Sequence, residues 1–208
     1  MVPGSEDVIR FTLSDEPPEF AERCRKRGRR WLRNNLGYDG RPYDYWSEFE
    51  PQLRKAFRRL SAYCAMKVMK GNVDHFIPIS LLKRRKADRR AYDWDNFRYC
   101  EGVLNQKKGN CTVLDPFEVE DDWFQLILPS TQLVLTDKIP RRLRKRAEFT
   151  LKRLGLGHSE VVVRYRQELF TMYRQRTLPL EGLREFAPQI AHAVEEDLAK
   201  GVDWQYPA

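Results

Sequence analysis

Apolar residues recur at helical spacing over both ends of the chain and lose that regularity in the middle. Leu53, Ala56, Phe57, Leu60 and Cys64 mark one face of a helix that opens at Ser47 and Glu50, which stand at capping-box spacing. Upstream, SDEPPEFAERCRKRGRRWLRNNLG places acids and prolines at a start, cations in the body and Asn35 to Gly37 as a stop, which predicts a basic helix. Downstream, DWFQLILPSTQLVLTD alternates apolar and polar residues about a Pro-Ser-Thr break, the pattern of a hairpin or two short strands. Pro140 then starts a helix through Leu143, Ala147, Leu151 and Leu154, stopped by Gly155 and Gly157. Two further helices are expected over about 159–176 and 183–200, the last interrupted or kinked near Pro188. From Gly71 to Cys111 turn residues multiply, and the basic loop KRRKADRR separates two short candidate strands. The pattern predicts a mainly helical α+β chain: a helical flank over 1–60, an irregular core over 61–115 and a mainly helical flank over 116–208, in one compact domain.

Charge adds a direction. The 208 residues carry a formal net charge of +8, concentrated in Arg23 to Arg33, Arg54 to Arg59, Lys83 to Arg90 and Arg141 to Arg153. Each cluster alone is the solvated face of a helix as readily as a binding surface. Four together point to a polyanion, because guanidinium groups present planar donors to phosphates. The opening residues do not read as a secretory signal and no apolar run approaches a membrane span, so the expected location is the cytoplasm. Cys24, Cys64, Cys100 and Cys111 form no C-x-x-C pair and are expected to be small buried hydrophobes rather than disulfides.

The chemistry concentrates in GNVDHFIPIS, residues 71–80, and YDWDNFRYCEGVLNQKKGN, residues 92–110. On a strand, neighbouring side chains face opposite sides, so at most one of Asp74 and His75 is expected to be comfortable in a core. The order is a strand with Asp-His, a variable loop, a strand opening at Asn96, and a helix with Asn105 nine positions later and a Lys-Gly ending. It resembles the HNH nuclease motif, a ββα unit that grips one metal ion. The resemblance implies that His75 is the general base, that Asn96 fixes the loop and the histidine, and that Asp74 and Asn105 are the metal ligands. It sets Lys108 near a substrate phosphate; Arg84 and Arg85 of the basic loop are further phosphate contacts. Phosphodiester hydrolysis asks for the same set: an imidazole suited to take a proton near neutral pH, and hard oxygen ligands that favour Mg²⁺ or Mn²⁺ over Zn²⁺.

A wider resemblance covers much of the chain. SAYCAM, DHFIPIS, YDWDNFRYC, LNQKKGN, LDPFE and AEFTLKRLGLGHSEVVVRYRQEL follow in the order found in HNH nuclease subunits of retron-associated and Septu-type bacterial anti-phage systems, which commonly work beside an ATPase partner. The paired C-x-x-C zinc knuckles of that wider family are broken here, with Ser61 and Cys64 at the first place and Cys100 and Leu104 about the second. No complete structural zinc site is expected, though a degenerate one using Cys64, Cys100 or Cys111 stays open. The expected activity is metal-dependent hydrolysis of DNA by an anti-phage effector. A basic nucleic-acid-binding subunit with a non-catalytic HNH-like fold, and an RNA-directed nuclease, are the alternatives. Trp94 is expected to serve packing, and His158 and His192 to lie at the surface or at helix ends.

Overall fold

The basic segment near the head of the chain coils as its composition requires. In the computed structural model, which describes residues 10–158 and 160–206, Ala21–Lys26 forms a π-helical turn running into α1 (Arg27–Asn34). Cys24, Gly28 and Leu32 are its buried residues, and the Asn35 side-chain amide closes its end by donating to the Trp31 carbonyl at 2.8 Å.

The Ser47 capping box is not the cap the chain uses. Asp44 accepts from the backbone N–H groups of Trp46 and Ser47 at 3.1 and 2.9 Å and from the Ser47 hydroxyl at 2.6 Å. A 3₁₀ turn, Ser47–Phe49, leads into α2 (Glu50–Ala56), which is shorter than its apolar spacing suggested. Arg58 and Arg59 take φ of 54° and 62°, and the Arg59 N–H reaches back to the Arg54 carbonyl at 2.8 Å. Leu53, Phe57 and Leu60 are nonetheless buried, so the spacing marked burial while the left-handed turn ended the helix.

β1 (Asn72–His75) pairs antiparallel with β2 (Phe97–Cys100), Asp74 opposite Arg98 and His75 opposite Phe97. Between them run α3 (Ile79–Arg84), started at Pro78, and 3₁₀ turns at Asp88–Tyr92 and Trp94–Asn96. The expected basic loop is therefore a helix end followed by a turn. α4 (Gly102–Lys108) follows β2 directly, and α2 and α4 both pack on β1. Phe20, Phe49, Trp46, Trp94 and Phe97 meet edge to face or tilted, with ring centroids 5.0–6.4 Å apart, and form the aromatic core. Trp94 also donates its indole N–H to the Ser14 carbonyl at 3.1 Å.

These elements belong to one unit, Thr12–Ala62 with Val68–Thr112; the other holds Tyr63–Lys67, the chain from Val113, and the described residues before Thr12. The segment 61–115 has residues in both units.

In the second unit β3 (Phe124–Ile127) and β4 (Gln132–Leu135) form the expected hairpin. α5 (Arg141–Leu154) begins after Pro140 and ends at Gly155, whose φ of 70° is the left-handed cap glycine supplies most readily. Leu114, Trp123, Ile139, Leu143 and Ala147 form a core beside it, and the Thr150 hydroxyl accepts from the Leu114 N–H at 2.7 Å. α6 (Glu160–Arg174) follows; Ser159, expected to open it, lies outside the described residues. The interruption expected near Pro188 is present, as a break and not a kink: α7 (Leu180–Phe186) ends at Ala187, whose φ of −155° breaks the coil, and α8 (Pro188–Ala199) begins anew. The architecture is α+β, about half helical with two small antiparallel sheets, and among the described residues no helix is long and apolar enough to cross a membrane.

Candidate active site

β1 has no solvent face after its first residue. Asp74 and His75 point to opposite sides of the strand and both are only 4% exposed, against the expectation that one at most would be buried. Each is accommodated by a different partner. On one side the Lys108 ammonium, itself wholly enclosed, donates to Asp74 Oδ1 at 3.0 Å and to the His75 carbonyl at 2.8 Å. Lys108, expected near a substrate phosphate, therefore stands inside the unit, tying α4 to β1. Asn105 lies one turn earlier on α4, on the same face as Lys108, and is half-buried.

On the other side the His75 imidazole is boxed by aromatics: Trp46 edge-on with ring centroids 4.5 Å apart, and Phe97 at 5.2 Å. Its Nε2 is 2.9 Å from the Ala91 carbonyl. A carbonyl only accepts, so Nε2 carries the proton and the lone pair sits on Nδ1. Nδ1 is buried and has no hydrogen-bond partner. Burial lowers the His75 pKa from 6.5 to about 4, with a smaller push in the same direction from the Arg41 guanidinium; the Ala91 bond and Asp74 oppose it. The ring is neutral at pH 7.

Asn96 holds the turn that supplies this carbonyl. Its Oδ1 accepts from the Ile77 N–H at 2.8 Å, while Nδ2 donates to the carbonyls of Ile77 and Arg90 at 3.3 Å each. Its own carbonyl accepts from the Phe76 N–H at 2.8 Å. One buried side chain thus pins the residues that follow His75 to those that precede its acceptor.

A cleft of about 620 Å³ opens beside these groups, lined by Arg41, Trp46, Glu50, Arg54, Asn72 and Asn105 among others. Trp46 is shared: it lines the cleft and covers His75. Sequence reasoning passed over Arg41 and Trp46, and took Arg54 only as part of the Arg54 to Arg59 cluster. The signal for two of them was present in RPYDYW, an arginine and three aromatics just before the Ser47 turn; the Ala91 carbonyl, being backbone, leaves no such trace. Arg84 and Arg85 are exposed at the end of α3.

None of the four cysteines forms a disulfide; Cys24, Cys64 and Cys100 are buried and Cys111 is half-buried. Burial, the largest influence on it, pushes the Cys24 thiol well above its ordinary pKa. Ser61 and Leu104, at two of the knuckle positions, are buried. Among the described residues no three His, Cys, Asp or Glu side chains come together as a metal group. Of the pair implied by the HNH resemblance, Asn105 lines the cleft, while Asp74 is buried with the Lys108 ammonium on its Oδ1. No protein-family model matches the chain, and no curated protein matches it.

Proposed function

We propose that the chain is a metal-dependent phosphodiester hydrolase of the HNH type that acts on DNA. The single observation that carries this assignment is the geometry of His75: fixed through Nε2–H to the Ala91 carbonyl, with the Nδ1 lone pair left unpartnered. That is the tautomer a general base needs. Nδ1 takes the proton of the attacking water, and the bond at Nε2 prevents the ring from turning away as charge develops on it. Asn96 acts as a positioning residue, because its three side-chain bonds set the turn that holds Ala91. Asp74 and Asn105 are the residues that would hold Mg²⁺ or Mn²⁺, with the Lys108 ammonium, 3.0 Å from Asp74 Oδ1, a competitor that the ion would have to displace from the carboxylate. The cation supplies Lewis-acid stabilisation to the nonbridging and departing oxygens of the phosphodiester. Arg41 and Arg54 in the cleft, and Arg84 and Arg85 outside it, contact substrate phosphates.

The resemblance to Septu-type and retron-associated subunits extends the proposal to a cytoplasmic anti-phage effector with an ATPase partner. One observation favours a second function, nucleic-acid binding without cleavage: His75 and Asp74 are both enclosed, and an ammonium already lies on the carboxylate. Supercoiled plasmid incubated with the purified chain in Mg²⁺, Mn²⁺ or chelator separates the two. Hydrolysis requires nicked circles only with metal, and a loss of about 10²–10⁴-fold in His75→Ala at nearly unchanged DNA affinity. Equal nicking by wild type and His75→Ala would reject the base; binding with no nicking under any metal would favour the second function. A single-stranded RNA substrate run alongside tests ribose preference.

A further inference from the structure

We infer that α5 is a DNA-docking helix, in the unit that does not contain His75, which lies in the major groove of duplex DNA with cations on both flanks and Phe149 toward the base edges. Leu143, Ala147, Thr150 and Leu154 are buried and fix its inner face. At roughly 100° per residue, Arg141, Lys145 and Lys152 fall along one outer ridge, and Arg142, Arg146 and Arg153 along a second. Phe149, 44% exposed, falls between the two. All six cations are exposed, and among the described residues none of them has an ion-pair partner. Glu148, the only acid on α5, is taken by half-buried Arg144 at 3.5 Å.

A helix evolved only to be solvated pairs such charges at i,i+4, as Arg164 and Glu168 do on α6 at 3.3 Å. On α5 the like charges are left to repel one another, an arrangement a polyanion relieves. The two ridges identify which polyanion. A helix with its side chains is about 10–12 Å across, and the B-DNA major groove, about 12 Å wide, admits it with a phosphate backbone on either side. The central aromatic then meets base edges, where a thymine methyl is its natural contact. A-form RNA closes its major groove to side chains, and a membrane-surface helix needs a broad apolar face where α5 has one aromatic.

The test is equilibrium binding of the full chain to a short fluorescent duplex DNA over a range of salt, with chelator present, so that a failure to cleave has no bearing on the outcome. Arg141→Gln/Lys145→Gln/Lys152→Gln and Arg142→Gln/Arg146→Gln/Arg153→Gln are each expected to lower the slope of log affinity against log salt by about 2–3. Phe149→Ala is expected to weaken binding at every salt and leave the slope unchanged. Thermal melts establish that the variants fold, and either ridge variant suffices if the other does not. Unchanged slopes would overturn the assignment. So would an equal loss of affinity for double-stranded RNA of the same sequence, or a loss seen on anionic phosphatidylserine vesicles and not on DNA.

Discussion

Replacing Lys108 with methionine keeps the length of the side chain and removes its charge. The ammonium lies 3.0 Å from Asp74 Oδ1, with the two side chains 1% and 4% exposed, and it also donates to the His75 carbonyl at 2.8 Å. Breaking a buried pair by removing one partner costs about 3–5 kcal/mol, because the remaining charge stays desolvated without compensation. The abandoned carbonyl adds about 1–3 kcal/mol. Against this, Arg98 stands opposite Asp74 in the β1–β2 register, and opposed residues share a face of the ladder, so the carboxylate keeps a second cation on its side. The lower end of the combined range follows: Lys108→Met is expected to lose about 4 kcal/mol of stability, measured by urea unfolding at constant m-value. Asp74→Asn in the same background removes the orphaned charge, so the double variant should be more stable than the sum of the single losses by about 1–3 kcal/mol. Strict additivity, or a Lys108→Met chain within about 1 kcal/mol of wild type, would refute the pair as the tie between α4 and β1.

Two further outcomes follow from burial. His75 has its folded pKa lowered from 6.5 to about 4, so between those values the unfolded chain binds a proton that the folded chain refuses. Its contribution is therefore full above pH 6.5 and is lost as pH falls toward 4, about 3 kcal/mol in all; urea midpoints across that window should show it, and His75→Gln should flatten it. Gly28 on α1 is the point of closest approach to Tyr92: a Cβ there would stand 2.2 Å from a ring carbon. Gly28→Ala is expected to cost about 1–3 kcal/mol by overpacking, and a thermal melt matching wild type would show that the ring can move aside.

What the sequence disclosed divides along a physical line. Periodic elements were legible wherever local signals and burial agree: Pro140 and Gly155 frame α5, and the Pro-Ser-Thr break falls in the turn between β3 and β4. α2 was over-extended because its apolar spacing continues to Cys64 while Arg58 and Arg59 turn left-handed without a glycine to announce it. Within the site, Asp74, His75, Asn96, Asn105 and Lys108 were all named, and the structure brings Asp74, His75 and Lys108 into one bonded group and sets Asn96 in the adjoining turn. Their surroundings were not legible. That Lys108 turns inward depends on β1 being covered on both sides, which is a property of the packed unit and of no short stretch within it.

The adjacency of Asp74 and His75 is costly for a purely structural strand. A phenylalanine in place of His75 would fill an aromatic box made by Trp46 and Phe97 with no polar atom to satisfy. The histidine instead leaves Nδ1 buried and unbonded, a penalty of about 1–3 kcal/mol, while three hydrogen bonds from Asn96 and one from Nε2 fix the ring and its turn. On the opposite face a lysine and an aspartate are both withdrawn from water, where an apolar pair of the same volume would be as stable or more so. Two local costs in stability thus fall on neighbouring residues and on opposite sides of one four-residue strand, the place where the proposed hydrolase would give up stability for chemistry. Of the two, the buried Nδ1 bears on the proposed base, because its lone pair has no protein partner and is the acceptor that a water or a proton would use.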